Sequence, residues 1–306
     1  MLDIYFLSGK INSLEKKFID GEKLKKIVES KTFEEFVNIL EGSFFKIPSN
    51  LSSTDEIFKI FENERLKLIE EINKINDEKI IIFFLLKYDY YNLSLLVENK
   101  DDFSPYGILN FYILKYAFEK NDFSKIPEVL QEGFAICKSK ISLEEKLISL
   151  KNSYFEKIYC IANEISEFTR NYIKIEIDFA NIQNYLNKKL NEKKIYIDDF
   201  IKKGFIKREN FLDDAGLWEA ISLKYKKIEI PLNEETVERE RYKVLIEYLK
   251  EGRVKPYGID KIISFYKARE IEIENLQKLT ISKFYRESEV FLKKIIIPPY
   301  QYREGK

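Results

Sequence analysis

The chain has 306 residues, 45% hydrophobic and 34% charged, enough for a sizeable core and for two or three domains. Its 52 basic residues balance its 52 acidic ones, so no basic excess exists to release counterions from a nucleic acid, and a nucleic-acid role is not expected. Histidine is absent, which removes the commonest general base, triad partner and metal ligand together.

Glycine and proline are scarce, and apolar residues recur three and four positions apart, so an all-α chain of long helices is expected. Leu2–Lys17 and Glu22–Ser30 read as helices broken near Gly21. Thr32 and Glu35 form a capping box into Phe33–Leu40, which stops at Gly42. Ser53 and Glu56 form another, into a helix that runs to about Ile75. Asp77 caps a helix through Ile80–Leu86, the longest apolar run. That run has seven residues, against roughly 20 for a membrane span. Met1-Leu2-Asp3-Ile4-Tyr5 lacks a signal-peptide pattern. A soluble protein is expected, still able to dock on a membrane protein.

Ser104-Pro105 is read as opening a helix Tyr106–Glu119, with Pro in its first turn. Asp122–Phe134 reads as an amphipathic helix ending in an aromatic residue. Ser142 and Glu145 form a third capping box before Leu143–Tyr159, and further helices cover Ile161–Asn171 and Ile175–Leu190. Ala215–Pro231 is a helix ending in aromatics that contains the single Trp218, read as core. Asn233 begins Glu234–Lys250, and Pro256 opens a helix through about Leu279. Ser282–Ile296 follows, and Pro298-Pro299 ends the helical part. Ile195–Ile197 and Ile228–Ile230 are the only candidates for extended pieces.

Three of these helices share a spacing: an acid, two spacers, an Asn and an aliphatic residue. It occurs at Asp89, Asn92 and Leu93, at Asp178, Asn181 and Ile182, and at Glu272, Asn275 and Leu276. The steps are 89 and 94 residues. A second marker, aromatics closing a short helix, lies 44, 44 and 47 residues before these acids, at Phe45, Phe134 and Tyr225. Together they suggest three units of about 90 residues, centred near positions 89, 178 and 272, packed as one body over residues 1–306. The identical Pro105-Tyr106-Gly107-Ile108 and Pro256-Tyr257-Gly258-Ile259 are not equivalent positions in that repeat.

On a helix each acid and its Asn share one face with apolar neighbours, so each carboxylate–amide pair sits inside an apolar stripe. Leaving a buried polar group unpartnered costs about 1–3 kcal/mol, so each pair should tie its helix to a neighbouring helix end or loop. A catalytic role would need two carboxylates in one cleft, and nothing local supplies a nucleophile or cofactor site. No Gly-rich phosphate loop or dinucleotide fingerprint is present. Cys137 and Cys160 cannot form a structural zinc site alone and read as small buried thiols in a reduced environment. Asp198-Asp199 and Asp213-Asp214 read as turn or cap residues, and Lys23–Lys26 as a solvated helix face. Catalytic residues, cofactor and metal are all expected to be absent, as is any small-molecule substrate.

The chain resembles the C subunit of bacterial and archaeal V/A-type rotary ATPases, related to the d subunit of the eukaryotic V-ATPase. Phe84–Lys100, Ile173–Leu186 and Pro256–Ser282 carry the resemblance, the last with Tyr266-Lys267-Ala268-Arg269-Glu270-Ile271-Glu272 and Asn275-Leu276; Tyr5–Leu14 looks like the family's first helix. The resemblance implies three similar helical units around a pseudo-threefold axis, forming a funnel. It further implies a non-catalytic component of the central stalk, cytoplasmic and peripheral to the membrane. Such a socket couples the central shaft subunits to the membrane proteolipid ring during ion transport or ATP synthesis. The competing readings are a helical-repeat adaptor for cytosolic proteins, although solenoids repeat every 20–50 residues, and an enzyme using the carboxylates with a divalent metal.

Overall fold

A computed structural model describes residues 4–301, so Leu2 and the N-terminal tripeptide lie outside the described residues. Among these the secondary structure is helical, with no strand. The helices are α1 (Ile4–Leu14), α2 (Gly21–Glu29), α3 (Phe33–Ile39), α4 (Thr54–Asn73), α5 (Glu78–Glu98), α6 (Phe111–Lys120) and α7 (Glu128–Lys138). They continue with α8 (Leu143–Ile165), α9 (Glu167–Leu190), α10 (Asp214–Lys224), α11 (Glu234–Arg253), α12 (Ile259–Phe284) and α13 (Glu289–Ile295).

Local chemistry sets most boundaries. Thr32–Glu35 and Ser142–Glu145 are reciprocal capping boxes. Ser53 accepts from the Glu56 N–H, but the Glu56 carboxylate turns to Ser52 instead, so that box is half made. Asn99 and Asn121 close α5 and α6 in the left-handed region that Asn tolerates. The separate helix expected at Ile161–Asn171 does not exist. α8 runs on to Ile165, Ser166 alone breaks the chain, and its hydroxyl accepts from the Thr169 N–H to start α9. Asp122–Phe134 is likewise divided, into a 3-10 turn at Phe123–Lys125 and α7, because Pro127 starts a new helix. Ser282 belongs to α12, and only Glu289–Ile295 forms the last helix. Neither extended candidate is a strand; Ile197 begins a 3-10 turn and Ile228–Ile230 is loop.

Six long helices form the body: α8/α9 and α11/α12 are packed hairpins with short connections, and α4 and α5 are joined by an equally short connection but touch over little of their length. Each motif helix also packs on a long helix of another pair. α5 meets α8, where Tyr90 bonds Ser153; α9 meets α11, where Phe168 stacks on Tyr248 at 4.7 Å; α12 meets α4, where Arg65 bonds Gln277. The neighbours therefore run α4–α5–α8–α9–α11–α12 and back to α4, a closed circuit whose last contact joins the two ends of the chain. Short helices α1–α3, α6–α7, α10 and α13 cover its outside.

The core runs through the whole circuit, from Leu7 and Phe36 through Phe84, Phe134 and Phe179 to Leu279 and Tyr300. The apolar run Ile80–Leu86 is the middle of α5. That helix is long and apolar enough to cross a membrane, but most of its apolar window is buried inside the body. Cys137 is buried against the Leu93 carbonyl, whereas Cys160 is exposed, contrary to expectation, because it lies on the outer face of α8. Trp218 is half-buried at the edge of the core. Replacing Ser166 with Ala should cost about 0.5–2 kcal/mol, read as a lower urea midpoint, because its cap is what divides α8 from α9.

Candidate functional site

The three carboxylate–amide pairs occupy α5, α9 and α12, and each holds a loop by its backbone. Asn92 donates to the Ser104 carbonyl (2.9 Å) and accepts from its N–H (2.8 Å), while Asp89 accepts from the N–H groups of Ile108 (2.7 Å) and Leu109 (3.0 Å). Asn181 makes the same pair with Ile201 (2.9 and 2.8 Å), and Asp178 accepts from Phe205 (3.2 Å) and Ile206 (3.0 Å). In both, the amide holds one residue and the carboxylate holds the fourth and fifth residues after it. The segment Ser104–Leu109 is thus a clamped loop. The helix expected from Pro105 begins later, at Phe111, because Asp89 takes the N–H groups a helix would have used.

Sequence reasoning missed one component, a glycine three residues after the amide-held position. A Cβ on Gly107 or Gly204 would be driven into the carboxylate of Asp89 or Asp178. Only Gly lets the loop backbone approach this closely. The shared Gly followed by two apolar residues was the available signal.

The third clamp differs. Asn275 holds Ile297 in both directions (3.3 and 3.2 Å), but Glu272 accepts from the Ile19 N–H (2.7 Å), 253 residues away, and from Arg269 (3.0 Å). Arg269 lies over the Phe44 ring at 3.4 Å. The aromatic markers follow the same logic. Tyr225 donates to Asp178 (2.5 Å) and the Phe134 helix packs on α5 at Gly133, so each marker sits with the motif that precedes it. Phe44 and Phe45 sit with the last motif.

A second site lies on the opposite faces of these helices. The residues two before each acid are Lys87, Glu176 and Glu270. Lys87 pairs with Glu270 (3.1 Å), which also binds Lys267 (2.9 Å), and Glu176 pairs with Arg241 (3.3 Å). Lys267 feels Glu270, Lys87 and Glu176 together and lies over Phe83, Phe84 and Tyr172 at 4.6 to 5.8 Å. Burial would raise the Glu270 carboxyl, but Lys267 and Lys87 hold it below its ordinary value. Burial also outweighs the acids at Lys267 and lowers its ammonium.

Lys87 keeps 33% of its side chain exposed, whereas Glu270 keeps 13% and Lys267 8%. Toward the N-terminal ends of α5, α9 and α12, Phe83, Phe84, Tyr172, Tyr266 and Lys267 are buried. Further along α5 Tyr91 is exposed, and Lys151 of α8 reaches the Ala180 carbonyl at 3.4 Å. Among the described residues no cluster of three or more His, Cys, Asp or Glu could hold a metal. Asp213 caps α10 and Asp214 pairs with Lys189, while Asp199 accepts from the Tyr196 N–H and Asp198 pairs with Arg208.

Gly107→Ala and Gly204→Ala should each cost about 1–3 kcal/mol, measured as a fall in the urea midpoint, because the added methyl displaces a clamped carboxylate. A pH dependence follows as well. Burial pushes the carboxyls of Asp89 up to about 6 and of Asp178 up to about 7, against the N–H groups that favour the anion, and lifts Glu272 to about 7 against Arg269. The folded chain then holds protons that the unfolded chain has released above pH ~4. Stability from this source is full below that pH and is lost as pH rises through about 6 to 7. The urea midpoint should therefore rise between pH 8 and pH 5.5, and Asp178→Asn should flatten the rise. A midpoint that falls on acidification would show the carboxyls ionised in the folded state.

Comparison with known proteins places the chain in a family. The family described as ATP synthase (C/AC39) subunit matches residues 7–292. The C subunit of the A-type ATP synthase of Thermococcus gammatolerans is 22% identical over 204 residues, 64% of this chain and 51% of the relative. Proteins of the same name from Thermococcus kodakarensis and Pyrococcus furiosus are 25% and 23% identical, over 64% and 63% of this chain and 52% and 51% of their own lengths. The chain spans about half the length of these relatives. With the match over nearly all of its residues, the chain belongs to the ATP synthase (C/AC39) subunit family, that of the C subunit of V/A-type ATPases.

Proposed function

We propose that this chain is the non-catalytic central-stalk socket of a V/A-type rotary ATPase. Its three units, centred near Asp89, Asp178 and Glu272, form one funnel-shaped body around a pseudo-threefold axis. In this reading a central recess bearing Lys87, Glu176 and Glu270 receives the foot of the central shaft, and the end with the buried Phe83, Phe84 and Tyr172 rests on the membrane proteolipid ring. The socket works on the cytoplasmic side, peripheral to the membrane, and passes torque between shaft and ring during ion transport or ATP synthesis.

The observation that carries the reading is the meeting of Lys87, Glu176 and Glu270 around Lys267. Their approach from one position in three motif helices supports a common axis between those helices. The closed circuit of six helices supports it, because a closed ring resists twisting better than an open stack does. The three clamps serve the same end by fixing each loop to its motif helix through buried hydrogen bonds. Paired charges let the recess stay wet when empty and still match a polar partner when filled.

Gentle solubilisation of membranes from a host expressing the tagged chain should recover proteolipid ring and shaft subunits in fixed stoichiometry. Recovery of soluble partners alone, from membranes whose rotary ATPase stays intact, would move the function to the adaptor class. Lys87→Ala leaves Glu270 neutralised by Lys267, so the fold should persist. Shaft recovery should fall severalfold while ring recovery is retained; equal loss of both would place Lys87 outside the shaft contact.

A further inference from the structure

Two of the clamps are local. Their amide and their carboxylate hold the same loop, which follows the motif helix within 28 residues. The third is split between the ends of the chain, since Asn275 holds Ile297 and Glu272 holds Ile19. The N-terminal segment therefore does for the last unit what a covalently attached loop does for the other two.

Leu7, Ile11, Phe18 and Ile19 bury against the core and Tyr5 meets Tyr257 at 5.4 Å, but few polar bonds fasten that segment, and they are spread along it. Ser8 accepts from the Gly258 N–H at 3.2 Å. Glu15 faces Arg253 at 3.6 Å and Lys261 at 3.7 Å, and its Oε1 has no hydrogen-bond partner although buried. Phe18 packs against Phe44, Phe265 and Tyr300 at 4.9 to 5.6 Å. A void of about 20 Å³ remains where Phe18 and Ile19 meet Glu272, Asn275 and the Ile297–Tyr300 loop, so the junction is not fully packed. All these partners but Phe44 belong to α11, α12 or the C-terminal loop, which are joined to the segment by no nearby covalent path.

We propose that Ile4–Ile19 is a latch, a strap that releases from α12 as one unit and recloses while the rest of the body stays folded. Glu272 is its catch. Release uncovers Phe265, and the next residue, Tyr266, packs against both Phe265 and Phe84, so the strap is mechanically coupled to the helix that carries Lys267 and Glu270. The inference concerns this chain's own folding units and stands whether or not the recess takes a shaft.

Amide hydrogen exchange on the full chain tests it, in water and in rising sub-denaturing urea. The strap amides, Ile19 among them, should open together with a population at least tenfold above that of α9 and with a smaller urea dependence. At pH 8, where Glu272 is ionised in the folded chain, Glu272→Gln keeps the shape but removes the charge. It should speed strap exchange about tenfold further and leave unchanged the two amides that Asp178 clamps, those of Phe205 and Ile206. Strap and α9 amides sharing one opening would overturn the proposal, as would a strap indifferent to Glu272→Gln. If that variant does not fold, the wild-type urea series decides alone.

Discussion

A carboxylate placed inside an apolar stripe of a helix must find donors, and this requirement organises the molecule. Water cannot reach Asp89 or Asp178, which are fully buried. Apart from the Tyr225 hydroxyl at Asp178, their donors are backbone N–H groups that no helix is using, which means a loop. Each motif helix thereby dictates that an irregular segment be folded back on it, and the adjoining Asn fixes the register of that segment by bonding one residue in both directions. Where the backbone comes closest, side chains are excluded, hence Gly107 and Gly204. The loops that a helical protein would leave loose are here its best-anchored parts.

The same helices use their two sides for different purposes. The clamp side is dry and tied to its own covering. The opposite side turns Lys87, Glu176 and Glu270 toward one another, where exposure and burial are mixed. Residues two apart on a helix point nearly opposite ways, so the two functions separate without separate elements. Lys267 is the extreme case. Burial lowers its ammonium, and a carboxylate and three aromatic faces surround it.

Much of the architecture was legible in the chain. Helical spacing, the capping residues and the acid–Asn period located the motif helices, because these are properties of residue type at fixed intervals. What the acids would bind was not legible, since a backbone N–H is the same on every residue and Ile108 or Phe205 carries no mark of it. Pro105 misled for a related reason: proline in a first helical turn and proline in a clamped loop satisfy the same local rule, and only the demand of Asp89 decides between them. The break between α8 and α9 was displaced because Ser166 was outweighed by the apolar pattern on both sides of it. The charge cluster was hidden altogether. Lys87, Glu176 and Glu270 look like solvent-facing charges in a sequence with a third of its residues charged. Nor could spacing reveal that the last clamp would borrow its donor from residue 19.

The positions two residues before the three motif acids differ in charge, one lysine and two glutamates. On the socket reading proposed above, equivalent walls would accept a rod in any of three rotations, whereas walls labelled in this way match a rod's own fixed pattern of charges in one azimuth and mismatch it in the other two. Such a socket is keyed, and a shaft seated in it would inherit a defined phase relative to the body.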